Sequence, residues 1–246
     1  MFFKRPSHER NWSPDQAILP HVEFVDEDTV RIRNIRHASY RSRDDYDVNL
    51  YDETFDLRQL RSADLFVSPF WGFGIAHSFL IFRFADGPAC AGGRHVSLSV
   101  EVRRQRGEQF SIKRMMPQEY ELMYVFAHED DVVRLRSHVK REEAYLYPLV
   151  LTPEQLRIAF LDACQRANEI VQRPEFYHVL LNNCTNNYIV HLRAAGIPLP
   201  RFSWRYLLPA SIDELFVKKG LIEWNGSIEE LRRQHYITAP ALSNAL

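Results

Sequence analysis

Residues 75–84 (IAHSFLIFRF) and 95–103 (HVSLSVEVR) constrain this chain most. In the second run Val96, Leu98, Val100 and Val102 alternate with Ser97, Ser99 and Glu101, the period-2 signature of a strand with one apolar face. The first run is apolar on both faces apart from His77, Ser78 and Arg83, as expected of a strand covered on both sides. The loop between them, ADGPACAGG, suits a long hairpin connection. A sheet must therefore form the core. Residues 29–35 (TVRIRNI) add a half-buried strand. Short strands are expected at Tyr46–Tyr51, Thr54–Leu57 and Leu65–Ser68, and a further strand pair at Leu122–Phe126 and Ala144–Leu149, with a short helical segment from about Glu129.

The second half changes period. Thr152 with Gln155, Ser211 with Glu214 and Ser227 with Glu230 each place a hydroxyl three residues before Glu or Gln, the capping-box spacing. The first of these predicts a helix from Pro153 to about Gln172, with proline at its first position and Leu156, Ala159, Phe160, Ala163, Ala167 and Ile170 as its buried stripe. Cys164 lies at the edge of that stripe, where a thiol is an inert core group. The reading is one α+β domain over 1–246, strand-rich across 11–150 and helix-rich across 151–246, with an antiparallel sheet packed against helices.

Leu181-Asn182-Asn183-Cys184-Thr185-Asn186-Asn187 precedes a helical run that stops at Gly196 and Pro198. Asn182 or Asn183 is the cap, so Cys184 falls in the first turn. Free N–H groups and the positive helix end there favour a thiolate and can receive an oxyanion, with Asn182, Asn183 and Thr185 in support. A small residue tolerated at a loop–helix junction is the plain alternative. A thiolate nucleophile needs a base. Among ten histidines, His77 stands within an apolar strand, as either an internally bonded core residue or an active-site group, whereas His128, His138 and His178 fall in helical or turn segments and are expected on solvated faces. On the neighbouring strand Glu101 has the charge to orient an imidazole, and Ser99 is the other candidate. Cys90, in the loop, has no helix end to activate it.

Histidine on a strand, an acidic residue on the next strand, then Asn-Asn-Cys-Thr at a helix start resembles the Lnb N-terminal periplasmic domain family. Arg33-Asn34-Ile35-Arg36, Tyr40-Arg41-Ser42, Ile75-Ala76-His77-Ser78, Ser99-Val100-Glu101-Val102-Arg103, Tyr120-Glu121-Leu122, Arg173-Pro174-Glu175-Phe176-Tyr177 and Asn182-Asn183-Cys184-Thr185 carry the likeness. The resemblance implies a circularly permuted papain-like (NlpC-type) fold, with Cys184 as nucleophile, His77 as base and Glu101 as orienting group. It also implies acyl transfer through a thioester, as in bacterial lipoprotein N-acylation, and a periplasmic or membrane-associated setting.

A lipid or lipoprotein substrate calls for an apolar groove beside Cys184, with Phe70, Trp71, Phe73 and Phe79 as wall candidates. Two other readings stand beside it. A cysteine amidase or peptidase acting on a peptide or amide calls for an open polar cleft. A non-catalytic binding module calls for a lost catalytic residue. Lys plus Arg is 31 against 32 for Asp plus Glu, which removes the electrostatic case for nucleic acid. The three cysteines form no CxxC pair, so neither a structural metal nor a cofactor is expected. No run reaches the roughly 18 apolar residues of a membrane span, and MFFKRPSHERNW has no signal-peptide core. Read literally, the chain stays in the cytoplasm; the other expectation is a soluble piece of a longer, membrane-attached or exported protein.

Overall fold

A computed structural model describes residues 4–42, 45–72, 74–85, 94–115 and 119–238, with the side chains of Trp71 and Ile112 outside that description. The strands are β1 His21–Phe24, β2 Thr29–Tyr40, β3 Tyr46–Asp56, β4 Leu60–Trp71, β5 Ile75–Phe84, β6 Arg94–Arg103, β7 Glu121–Ala127 and β8 Tyr145–Pro148. The helices are α1 Glu129–Arg134, α2 Pro153–Gln172, α3 Cys184–Ala194, α4 Ile212–Lys218 and α5 Ile228–Gln234. The strands form one eight-stranded sheet in the order β1-β2-β7-β6-β5-β4-β8, with β3 on the other edge of β2. Every pairing is antiparallel except a single parallel contact between Arg36 of β2 and Ala127 of β7.

Strand alternation divides the core in two. Leu80, Phe82, Leu98, Val100, Leu122, Tyr124 and Phe126 face α2, α3 and α4, where Phe160 of α2 is fully buried. Phe79, Ile81, Met123, Val125 and Ala127 face the other way, under Val132 of α1. β2 serves the first core through a bulge. Between Ile32 and Ile35 its register with β3 slips, Asn34 takes a left-handed φ of 61°, and both isoleucines end fully buried despite their odd spacing. Asn34 tolerates that conformation because its side chain donates to Leu19 O at 3.1 Å while its N–H reaches Asp52 Oδ1 at 3.2 Å.

Helix α2 occupies Pro153–Gln172 with the Thr152–Gln155 capping box formed, and Ser227–Glu230 starts α5 in the same way. Ser211 departs from the expected pattern. It closes a 3-10 turn, makes no capping bond to α4, and Glu214 pairs instead with Arg205 at 2.5 Å. The two short strands expected within 46–57 are one strand, β3, because the exposed Asp52 and half-buried Glu53 do not interrupt its pairing with β2. β7 and β8 do not pair with each other: β7 joins β6, and β8 joins β4 on the far side of the sheet.

The β5–β6 ladder is short. It runs from Phe84↔Arg94 to Leu80↔Leu98 and stops. Beyond that point residues 75–79 pair only with β4, and residues 99–103 only with β7. The sheet parts along a seam between the two runs that carry His77 and Glu101.

Candidate active site

Cys184 opens α3. Asn183 is the cap: its Oδ1 accepts from Asn186 N–H at 2.7 Å, and its Nδ2 donates to Val179 O at 2.7 Å and Tyr206 O at 3.0 Å. One amide side chain thus ties the helix start to the loops on both sides of it. Cys184 N–H donates to the Tyr177 hydroxyl at 3.2 Å, and Asn187 N–H reaches Asn183 O at 3.2 Å. Among the described residues Thr185 N–H is the first-turn donor without a partner. The thiol is 5 % exposed and has Thr185 Oγ1 at 3.9 Å. Asn182 braces the turn from outside, donating to Glu175 Oε2 and Phe176 O and accepting from Asn187 Nδ2 at 3.0 Å.

His77 lies in β5 at the seam. Its Nε2 is 2.8 Å from Ser99 Oγ, and Ser99 Oγ donates to Glu101 Oε1 at 3.1 Å. A hydroxyl carries one proton; with that proton given to Glu101, Ser99 accepts from Nε2–H, and the basic lone pair sits on Nδ1. Nδ1 makes no hydrogen bond among the described residues. Burial, then the charges of Arg136, Lys140 and Arg36, hold the imidazole well below its ordinary pKa, so it is neutral at pH 7. For Glu101 burial works upward, but Arg36, Arg136, the Ser99 hydroxyl and Lys140 outweigh it, and its carboxyl stays below the usual range. Arg36 is buried, 3.6 Å from Glu101 Oε2, and clamped in bidentate fashion by Asp131 at 2.9 and 3.0 Å. A line of buried groups therefore runs His77–Ser99–Glu101–Arg36–Asp131.

The three residues expected to converge do not form one hydrogen-bonded set. Ser78 Oγ bonds Thr185 Oγ1 at 3.0 Å and Tyr188 OH at 3.1 Å, so Ser78 faces α3 and its neighbour His77 faces the opposite way, beside Phe79. Among the described residues no hydrogen bond joins the Cys184 sulfur to the His77 ring. The two are brought near each other indirectly, because their sequence neighbours Thr185 and Ser78 touch where the sheet has parted. The choice between Ser99 and Glu101 resolves into a relay: Ser99 contacts the ring, and Glu101 acts through Ser99.

Other expected residues are placed differently from the sequence reading. Phe79 stacks on Phe66 at 4.3 Å within the core and walls no groove. Phe70 packs edge-on against Phe110 at 6.1 Å. Phe73, Cys90 and the Trp71 side chain lie outside the described residues. Cys164 is fully buried, and burial pushes its thiol far up, consistent with an inert group. His138 is exposed, and His178 and His128 are half-buried; His128 also caps α1 and stacks on His37 at 4.4 Å. Asp131 was not singled out from sequence, and Arg36 and Tyr177 entered only within motif segments, with no role attached. Their roles come from contacts across more than one element, which no local pattern encodes.

Fold and site together define an α+β protein with a mostly antiparallel open sheet and a cysteine at a helix start over a parted strand pair. The chain belongs to the Lnb N-terminal periplasmic domain family, whose model matches residues 46–210, about two thirds of its length. That span holds His77, Ser99, Glu101 and Cys184. No curated protein and no solved structure matches the chain. No helix of the described residues is long and apolar enough to cross a membrane.

Proposed function

We propose that this domain is a cysteine-dependent acyltransferase of the bacterial envelope that works through a thioester on Cys184. The observation that carries the reading is the Ser78–Thr185 contact, which sets Cys184, in a capped first turn beside the open Thr185 N–H, next to the strand run that carries a neutral His77 with a free Nδ1. In the first half-reaction the Cys184 thiol gives its proton to His77 Nδ1 as sulfur attacks an ester carbonyl. Thr185 N–H receives the oxyanion, and the alkoxide leaves with the proton from His77. An amine then attacks the thioester, loses its proton to His77, and takes the acyl group, regenerating the thiol. The imidazolium formed midway is stabilised by Glu101 through Ser99. For sulfur and Nδ1 to meet, the Cys184 side chain turns toward the seam or a water bridges them. This is the chemistry of a permuted papain-like, NlpC-type enzyme.

An acyl substrate, rather than the peptide or amide of a hydrolase, is favoured by the apolar side chains on the loops next to the cysteine helix. The loops that Asn183 ties down expose Leu181 (78 %), Phe202 (73 %) and Trp204 (49 %), surface on which an acyl chain can lie. A lipid or lipoprotein substrate in a periplasmic setting fits that surround.

The test is intact-protein mass spectrometry after incubation with phospholipid vesicles. The wild type gains one acyl mass on Cys184, Cys184→Ala gains none, and His77→Ala forms the adduct about 10²–10⁴-fold more slowly, the usual contribution of a general base. An adduct that forms at the wild-type rate in His77→Ala, or on another residue in Cys184→Ala, overturns the reading.

A further inference from the structure

The sequence offers no spaced Cys or His motif for a metal, yet the fold assembles one from distant parts of the chain. His37 lies in β2, His128 caps α1 after β7, and Asp130 is in the first turn of α1. One donor atom from each lies within 4.8 Å of the other two. His128 Nδ1 and Asp130 Oδ2 are 3.7 Å apart, close to the roughly 3.3 Å that two ligands of a tetrahedral zinc take at bond lengths near 2.0 Å. The His37 and His128 rings stack at 24° with centroids 4.4 Å apart, which sets their edges side by side. His95 completes the cluster from β6, its ring 4.8 Å from that of His128, and its Nε2 is buried without a hydrogen-bond partner.

Three imidazoles and an exposed carboxylate converge at this point, with Glu129 Oε2 3.8 Å from His95 Nε2. We propose that His37, His128 and Asp130 bind a divalent borderline metal ion of the zinc class, with His95 Nε2 bonded to a water on the ion. The donor set of two nitrogens and one oxygen suits such an ion and not a hard cation such as calcium, which takes six or more oxygens. His128 Nδ1 at present accepts from Asp130 N–H at a long 3.2 Å, a weak bond that metal coordination replaces. Asp130 is well exposed, so its carboxylate swings freely to close the site.

The location gives the ion a structural consequence. His128 N–H bonds Arg36 O at 2.8 Å, and Asp131, next to Asp130, clamps the Arg36 guanidinium. An ion at this place pins the start of α1 to β2, and with it the far end of the line that reaches His77. The site is independent of the thiol chemistry, and His37 lies outside the family-matched span.

The probe is Zn²⁺ itself, added to the metal-stripped full chain and followed by calorimetry, with Co²⁺ absorption reporting coordination geometry. One equivalent of Zn²⁺ is expected to bind with an affinity at least tenfold above that of His37→Gln and of Asp130→Asn. It should raise the melting temperature of the wild type but not of either variant. The Co²⁺ complex is expected to be four-coordinate. Both variants should match the metal-free wild type in melting temperature, which shows that they fold. Binding of equal strength in both variants, or no binding by a folded wild type, overturns the proposal. Cys184→Ala keeps the site, so loss of binding in that variant would assign the ion to the thiol and overturn it as well.

Discussion

The two faces of the sheet solve burial in opposite ways. On one, Phe160 touches Phe82 at 4.9 Å and Phe84 at 5.6 Å, and α2 and α3 close an apolar layer in which Cys184 is nearly lost. On the other, a smaller apolar patch is continued by the polar line His77, Ser99, Glu101, Arg36 and Asp131, all buried except the half-buried Glu101. The first face is stabilised mainly by apolar area and shape, with buried hydrogen bonds such as Tyr124–Asn187 and Ser78–Thr185 between its helices and strands. The second holds only while every charge keeps its partner, and that demand fixes the tautomer and orientation of one histidine. The apolar face secures the fold, and the polar face gives the site its chemistry.

The sharpest way to break this contrast is to remove one large group from each side. Phe160→Ala and Asp131→Ala should each cost about 3–5 kcal/mol in denaturant unfolding, the first by leaving a cavity and the second by leaving Arg36 buried and unpaired. They differ in repair. Adding Arg36→Met to Asp131→Ala should restore a large part of the loss, whereas in Phe160→Ala the same change should deepen the loss, because it leaves Asp131 buried and unpaired. A loss below 1 kcal/mol in Asp131→Ala would remove the distinction between the faces.

A smaller effect separates the relay from its scaffold. A hydrogen bond to a charged group contributes roughly 1.5–3 kcal/mol, so Ser99→Ala should slow acyl-enzyme formation about 10–100-fold. Glu101→Gln should act in the same direction. In a His77→Ala background either change should add little, because groups acting as a unit are not additive. Full additivity would place Glu101 elsewhere in the reaction.

Acid should be felt through the polar face. His77 is held below its ordinary pKa near 6.5, so the folded state favours its neutral form. That contribution is complete above pH 6.5 and is lost as pH falls through the lowered value. Glu101, held low, repeats the pattern from the carboxylate range downward. Stability should therefore drop from below pH 6.5, and His77→Gln should flatten the first part of that slope in melting curves taken against pH. A curve unchanged by the substitution would show that His77 titrates normally. The smallest expected change is Asn183→Ala, about 1 kcal/mol for the lost cap, with a larger effect on adduct formation than on unfolding.

How much of this was legible in the sequence follows the range of the interactions. α2 is bounded by a capping box and Pro174, all local, and it begins and ends where the pattern says. The helix start at Cys184 is equally local. The run Val96–Val102 states its two faces outright, and Ser99 and Glu101 do share one. What the residues next to one another cannot state is which strands meet. The partnership of β7 with β6, the bulge at Asn34 and the end of the β5–β6 ladder are decided by twist and by long-range packing. For the same reason strand spacing marked His77 as unusual without showing that Ser78, not His77, faces the cysteine helix.

The parted ladder also divides the sheet in time. Backbone amides of residues 80–84, and of Ser97 and Leu98, sit between two paired neighbours and should exchange with solvent deuterium only when the whole domain opens. Those of 75–79 and 99–103 that point into the seam have no strand across from them, so they should exchange through local openings far more often. The pattern of protection along β5 and β6 would then change abruptly at Leu80 and Leu98, and the fast side of that boundary is the side that holds His77 and Ser99.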